Sequence, residues 1–375
     1  MVKIIKGTAR VDRRTKNLVK RLSPREIAII DHRNLDEVAV QSLLEAKVKA
    51  IINAASSVTL DYPNTAPLAL LDAGIYMVDE VGPEILDRVN EGDSVEIAGS
   101  KIFSRGKYIG SGKVLTGSGM NVVVEAAKGG LDKTLLEFVE NTLQYAQKEL
   151  GLISGDYDVP VTKTRFKGRH CLIVVRGNNY RKDLRIINSY IKEVKPVLIG
   201  VDGGADALLE SGYNPDIIIG DMDSISDNTL KCGAEIIVHA YSDGRAPGLK
   251  RVQGLGLGAK TFAAPGTSED IAMLLAYEKG CELIVAVGTH SNMLDFLEKG
   301  RKGMASTFLV RLKVGSILVD AKGVSKLYRR AIKPRHLAEI VLAASIPFFI
   351  IAISSPSTRE LLKLIYIQFR LILGL

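Results

Sequence analysis

Tryptophan is absent from this 375-residue chain, and histidine and cysteine are sparse, at five and three residues. Cys171, Cys232 and Cys281 lie far apart, with no CxxC and no Cys/His spacing. That excludes a zinc site of the usual spacing and a disulfide framework, and predicts buried or free thiols in a reducing compartment. The opening MVKIIKGTARVDRRTK has no apolar core, so no secretory signal is expected. A basic stripe across the folded body is also missing. Of the net charge of +8, the first 33 residues supply ten basic and three acidic side chains, and 326–336 supply five basic and none acidic. The body between them is mildly acidic, which argues against nucleic-acid binding. The basic ends predict either a solvated face or contact with phosphate or anionic lipid.

What the sequence does hold is apolar material and turns. Hydrophobic residues make up 46% and charged residues 25%, and there are 35 glycines. This suits two α/β domains and an appendage. The expected division is 1–130, a smaller α/β domain; 131–155, a linker helix; 156–330, a second α/β domain; and 331–375, a basic flank with an apolar tail. In the first domain, short apolar runs (AIIDH, VKAIINAA, IYMVDEV) alternate with helical spacing (LDEVAVQSLLEAK) and end in Gly-turned strands from EGDSVEIAG onward. That order resembles the swivelling phosphohistidine domain of phosphoenolpyruvate-using enzymes. NAASSVTLDYPNTAP stands where that family's histidine loop would be, so the resemblance implies the fold without phosphotransfer. His32, at a strand end beside Asp31, is expected to be a polar cap.

The second domain alternates near-continuous apolar strands with helices: HCLIVVRG, KPVLIGV, DIIIG, AEIIVHA and CELIVAVG. This predicts a parallel sheet covered on both faces, with ligands outside the carboxyl ends of its strands. Acidic residues fall at those ends. Asp202 follows VLIGV, Asp221 and Asp223 follow IIIG, and Glu269 and Asp270 open a helix. Oxygen donors of this kind suit Mg²⁺ bridging to phosphates. Gly203 and Gly204 would let the backbone approach a phosphate. His290 and Asn292, after another strand end, are candidates to touch a ligand, Asn292 equally to cap the next helix. YSDGRAPGLKRVQGLGLGAK, with Arg245, Lys250, Arg251 and Lys260, reads either as a basic lid or as a solvated loop.

VDGGADALLESGYNPDIIIGDMDSI closely resembles the thiamine pyrophosphokinase signature. The resemblance implies ATP and Mg²⁺ as cofactors, with Asp202, Asp221 and Asp223 as metal or phosphate residues. It also implies that Gly203, Gly204, Gly220 and Ser224 shape the loops, and that Asp221, Asp223 and Asp270 serve catalysis. Arg245, Thr267, His290 and Asn292 join the nucleotide contacts. The family's Thr-Asp helix start reads GTSEDIAM here, with Ser268 in the Asp position and Glu269 or Asp270 as replacements. The family's GGRxDH loop reads VGTHSNMLDFLEKGRKGMAS. Across 1–330 the blocks GTARVDRRTKNLVKRLSPREIAIIDH, YPNTAPLALLDAGI, YSDGRAPG and GTHSNMLDFLEKGRKGMASTFLVRLKVG resemble SteA-like septation proteins. This implies a cytokinetic-ring-associated membrane protein with a kinase-like domain.

Leu337 to Ile353, LAEIVLAASIPFFIIAI, is a short candidate membrane helix, and KLYRRAIKPRH before it marks a cytoplasmic flank. RELLKLIYIQFRLILGL reads as interfacial. The expected fold is therefore α/β: a parallel-sheet thiamine-pyrophosphokinase-like domain preceded by a smaller swivelling-type domain, with a C-terminal membrane helix. The expected protein is anchored by a single pass at the cytoplasmic face of the cell membrane, binds nucleotide but not nucleic acid, and meets a division-associated membrane protein. A homo-oligomer is left open. Two functions compete: a cell-division interaction protein with a divergent nucleotide domain, and an active diphosphokinase passing pyrophosphate from ATP to a small hydroxyl substrate.

Overall fold

Fully buried β-branched segments set the architecture. The computed structural model describes residues 4–290, 292–298, 300–324 and 334–374. Eight strands form the first sheet: β1 (Ile4–Val11), β2 (Ile27–Ile30), β3 (Ala50–Asn53), β4 (Tyr76–Asp79), β5 (Ser94–Ala98), β6 (Lys101–Ser104), β7 (Lys107–Ser111) and β8 (Lys113–Val114). Their order is β7-β6-β5-β1-β2-β3-β4-β8. β1 to β4 run parallel, and β5 to β7 fold back as an antiparallel meander. β2 and β3 are buried along their whole length, as strands covered on both faces must be.

The second sheet holds β9 (His170–Val174), β10 (Val197–Val201), β11 (Ile217–Gly220), β12 (Glu235–Ala240), β13 (Lys260–Ala263), β14 (Leu283–Val287) and β15 (Leu318–Asp320). It is parallel throughout, in the order β13-β12-β11-β10-β9-β14-β15. The chain moves outward from β9 to β13, then returns to the other side of β9, so the strand order reverses between β9 and β14. All the carboxyl ends share one edge. Ile217, Ile218 and Ile219 are fully buried, each side chain worth about 1.5–3 kcal/mol over exposure.

The helix between the sheets begins at Gly117 and runs to Lys148, fourteen residues earlier than Leu131, where the sequence reading starts it. Thr116 caps it, accepting from the Gly119 amide. Met120 and Val124 pack with Val58 on the first domain, whereas Ala146 joins the core of the second. Thr142 Oγ1 accepts from the Met304 amide at 3.1 Å, fastening the helix to Ala305–Val314. The segment is therefore a shared wall of both domains.

Residues 325–375 form a separate unit. In it a helix from Pro334 to Ser354, with Pro347 inside, is followed by a second from Pro356 to Leu373. No single helix among the described residues is long and apolar enough to cross a membrane. Glu339–Ile351 and Pro356–Leu371 meet that test only as a pair bent by 107°. The expected membrane helix over 337–353 is therefore not met by one helix alone; the first helix ends at Ser354, before Ser355-Pro356, because proline disfavours helical geometry in the residue before it. Most of the basic flank, 325–333, lies outside the described residues.

Gly129 and Gly130 sit mid-helix in the shared wall, exposed, and a methyl group at either would meet nothing within 4 Å. Replacing both by alanine is expected to stabilise the chain by about 1–2 kcal/mol, since each helical glycine costs about 0.5–1 kcal/mol relative to alanine. Urea unfolding checks this, and a loss of stability would show that the helix needs its glycines.

Candidate functional site

Three neighbouring strand tips bring the carboxylates together. β10 ends at Val201, and the Asp202 amide donates to the Ile219 carbonyl at 2.9 Å, so the β10–β11 ladder extends one step past the strand. Asp202 then turns with φ 47°, a sparsely populated conformation for a residue with a side chain. Its Oδ1 accepts from the Asp221 amide at 2.9 Å. The turn requires glycine at 220, where φ is 156° and a Cβ would lie 1.8 Å from that same Oδ1. Asp221 Oδ1 accepts from the Asp223 amide at 2.9 Å. Met222, between them, has φ 67° and is fully buried, so it pins the loop while Asp221 and Asp223 face solvent.

Asp202, Asp221, Thr267, Ser268, Glu269, His290 and Arg301 line a cavity of about 170 Å³, walled by Val175, Val201 and Phe296. Burial, and then the neighbouring Asp221 carboxylate, push the Asp202 carboxyl up to about 7, and the Ser268 hydroxyl partly offsets them. Glu269 is buried, and its Oε2 accepts from the His290 amide at 3.1 Å and lies 3.3 Å from His290 Nδ1. Its Oε1 has no hydrogen-bond partner, although the Arg311 guanidinium stands 3.7 Å away. Arg311 also reaches Asp320 at 3.2 Å, and Asp320 takes the Thr289 hydroxyl at 3.1 Å. His239, which the sequence reading passed over, lies on β12 with Nδ1 3.4 Å from Ser268 Oγ. Burial lowers its pKa.

Several residues singled out in the sequence have other partners. Asp270 is turned inward. It completes a capping box with Thr267 and accepts from the Ser306 and Thr307 hydroxyls, each at 3.0 Å, while burial and Glu269 raise its pKa. The side chain is buried, and its Oδ1 has no hydrogen-bond partner among the described residues. Packing alone requires glycine at 204, since a Cβ there would lie 1.9 Å from the Val174 carbonyl. Gly203 lies buried beside Arg176, and Ser224 is half-buried in the Asp221–Ser226 loop. Asp223 is outside the cavity lining. Arg245 pairs with Asp243 at 2.6 Å over the Tyr241 ring. Asn292 Oδ1 accepts from the Asp295 amide at 2.9 Å, the geometry of a helix cap.

Of the basic residues in the stretch read as a lid or a solvated loop, Arg251 and Lys260 are held by partners elsewhere. Pro247–Gly254 is a helix whose Arg251 clamps the Met222 and Ile225 carbonyls and Asp227, and Lys260 holds Glu235 at 2.8 Å. No sequence signal singles out Arg311 or His239, because each depends on where distant strands end.

Among the described residues no three His, Cys, Asp or Glu side chains converge as a metal site. The Asp202–Asp221 pair nevertheless fits a hard divalent ion that keeps waters and shares its coordination with phosphates. Two carboxylates held this close, one with its pKa raised by the other, gain from a cation between them.

A carboxyl raised in the folded state favours folding when protonated. The Asp202 contribution is therefore present below about pH 4 and lost as pH rises through about 7. Asp221→Asn removes the like charge and should shrink that loss, stabilising the chain at pH 8 by about 1 kcal/mol and leaving pH 4 nearly unchanged. Paired urea titrations at the two pH values read the difference, and equal shifts at both would assign the effect to burial alone.

Residues 188–243 match the thiamin pyrophosphokinase catalytic domain, and residues 322–373 match the SteA-like C-terminal domain. The 6-hydroxymethyl-7,8-dihydropterin pyrophosphokinase of Methanocaldococcus jannaschii is 33% identical over 92 residues, 23% of this chain. The match spans 38% of that relative's length. Among solved structures, the Bacillus subtilis thiamine pyrophosphokinase aligns at 22% identity and a TM-score of 0.25, over 40% of this chain and 60% of its own. The 3-isopropylmalate dehydratase of Methanocaldococcus jannaschii aligns at 16% and 0.23, over 36% and 96%. One polypeptide thus joins a thiamin-pyrophosphokinase catalytic segment to a SteA-like C-terminal domain.

Proposed function

We propose that this is a membrane-attached, SteA-like cell-division protein whose thiamine-pyrophosphokinase-like domain binds ATP with Mg²⁺ through Asp202 and Asp221. The carboxylate pair on adjacent strand tips carries the reading. A hydrogen bond holds it in a conformation that Gly220 alone makes room for, at the edge where a parallel sheet binds ligands. Asp202 and Asp221 would hold the Mg²⁺, which when bound neutralises charge on the phosphate oxygens it touches. Arg301 lines the same cavity and adds positive charge toward a phosphate. Ser268 and the His290 ring supply hydrogen-bonding groups, with Glu269 orienting the imidazole.

Size limits what the cavity can do. About 170 Å³ is below the roughly 300–1,000 Å³ of drug-sized ligand sites, so it suits the metal–phosphate end of a nucleotide and not a nucleotide with its acceptor. This favours binding with divergent catalysis. The pyrophosphokinase relatives keep a second reading in view, an active diphosphokinase acting on a small hydroxyl compound.

For the C-terminal unit, Ile340, Val341, Leu342, Phe349, Ile350 and Ile351 are all well exposed, a clustering that a water-facing surface disfavours. We read the bent helix pair as a broken or re-entrant anchor to the cytoplasmic face, near a division-associated membrane partner.

Calorimetry of the full chain with a non-hydrolysable ATP analogue and Mg²⁺ should show binding that weakens at least about tenfold in Asp202→Asn and Asp221→Asn. Asp223→Asn should have the smaller effect, and binding indifferent to all three changes removes the site. AMP release in the presence of thiamine would move the balance to the diphosphokinase. Deleting residues 334–375 should shift the protein from the membrane to the soluble fraction, and intact chain found mainly in the soluble fraction would refute the anchor.

A further inference from the structure

The basic run near the N-terminus plays no part in the aspartate cavity, yet its residues are not equally placed. Arg10, Arg13 and Arg21 are paired, with Glu26, Glu91, Asp87 and Asp12. Arg14, Lys16 and Lys20 have no ion pair with any described residue, and all three line hollows on one side of the first domain. One hollow, of about 410 Å³, lies at the tips of β1 and β2 beside His32. The other, of about 790 Å³, runs between the helix Glu37–Glu45 and the Arg176–Lys182 segment that follows β9. The two share Lys16, Val19, Val38 and Ser42 in their linings; the smaller is lined by the first domain alone, and the larger is a cleft between the domains.

Charge in this cleft is unbalanced in one direction. Arg176 and Arg181 bind Glu210 at 2.9 and 3.1 Å, and Arg181 crosses to Glu45 at 2.8 Å. The two glutamates are thereby neutralised. Asp206 accepts from the Ser226 and Thr229 hydroxyls, and Asp36 caps its helix through the Ala39 amide. These hydrogen bonds leave Asp206 and Asp36 anionic, and Asp31 stands exposed in the smaller hollow, so the larger one is lined by five basic side chains and three acids. Against Asp206, which has no ion pair among the described residues, stand Lys16 and Lys20 on one wall and Lys182 on the other, the last also without an ion pair to a described residue. Between these cations lie Val19, Leu22, Val38, Leu209 and the Tyr180 ring, interspersed with polar side chains such as Gln41 and Asn179. Free cations around a partly apolar channel match a ligand that is anionic at one end and apolar at the other. The larger hollow alone has the volume of a small-molecule site, and domain junctions are where such sites concentrate.

We propose that this interdomain cleft binds a phosphorylated small molecule with an apolar body, its phosphate held by Lys16, Lys20 and Lys182 and its body laid against Val19, Val38 and Leu209. The site stands apart from the nucleotide reading. Val175 lines the aspartate cavity and its neighbour Arg176 lines the cleft, so one strand tip serves two hollows. A ligand seated there touches both domains at once, alongside the Arg181–Glu45 bridge.

The test is titration of the full chain with 1-naphthyl phosphate, followed by its fluorescence, beside 1-naphthol and inorganic phosphate. Saturable binding of the phosphate ester is expected, with both controls weaker. The Lys16→Glu/Lys20→Glu pair on one wall and Lys182→Glu on the other should each weaken it at least about tenfold, because a charge-assisted contact is lost. Asp221→Asn should leave it unchanged. Absence of saturable binding, or binding indifferent to changes on both walls, overturns the proposal. Equal binding of 1-naphthol overturns the phosphate assignment, and equal binding of inorganic phosphate overturns the apolar one. Loss in Asp221→Asn with retention in the lysine variants would move the probe to the aspartate cavity, sinking the cleft while leaving the nucleotide reading intact. Lysines on opposite walls keep a local folding defect from imitating the expected result.

Discussion

A single hydrogen bond, from the Asp221 amide to the Asp202 carboxylate, ties the tips of two neighbouring strands and fixes the site's chemistry. It forms because β10 and β11 are parallel and in register, so both chains leave the sheet on the same edge. It demands a bare Cα at Gly220 and a left-handed backbone at Asp202. It also puts two carboxylates in each other's field within a partly dehydrated hollow, which is why Asp202 holds its proton to about neutral pH. The strain and the repulsion lie at the same point and are sustained by the buried isoleucines behind them, the usual economy of a site whose geometry serves something other than stability.

Much of the framework was legible because its signals are local. IIIG, VLIGV and HCLIVV are too uniformly apolar for half-exposed strands, and each ends in polar residues, so a parallel sheet with its chemistry at the strand ends followed directly. The aspartates of the GDMDS loop were readable for the same reason. The capping role of Asp270 is less legible, because a carboxylate at the third position of a helix serves a capping box as readily as a substrate, and its Ser306 and Thr307 partners lie far along the chain. Gly204 is ambiguous likewise, since closeness to a ligand and closeness to the Val174 carbonyl both demand glycine. Arg311, His239 and the interdomain cleft depend on elements far apart in the chain, and no spacing encodes them.

Of the helices, one is longer than its sequence suggests, and the tail divides where its sequence says. GSGMNVVVEAAKGG carries β-branched residues and four glycines, which hide a helix that tertiary contacts at Met120 and Val124 enforce. The apolar tail divides at Ser355-Pro356, between the segment expected to span and the one expected to lie at the interface, and the two helices are bent by 107°. In the first case packing overrides propensity, and in the second the break is local and legible.

The helix Gly117–Lys148 contributes side chains to hydrophobic clusters on both sides of the cleft. Neither globule owns it, and removing it would strip a face from each. A cut that separates the two sheets would therefore leave apolar side chains of this helix uncovered, Met120 and Val124 at one end or Ala146 at the other.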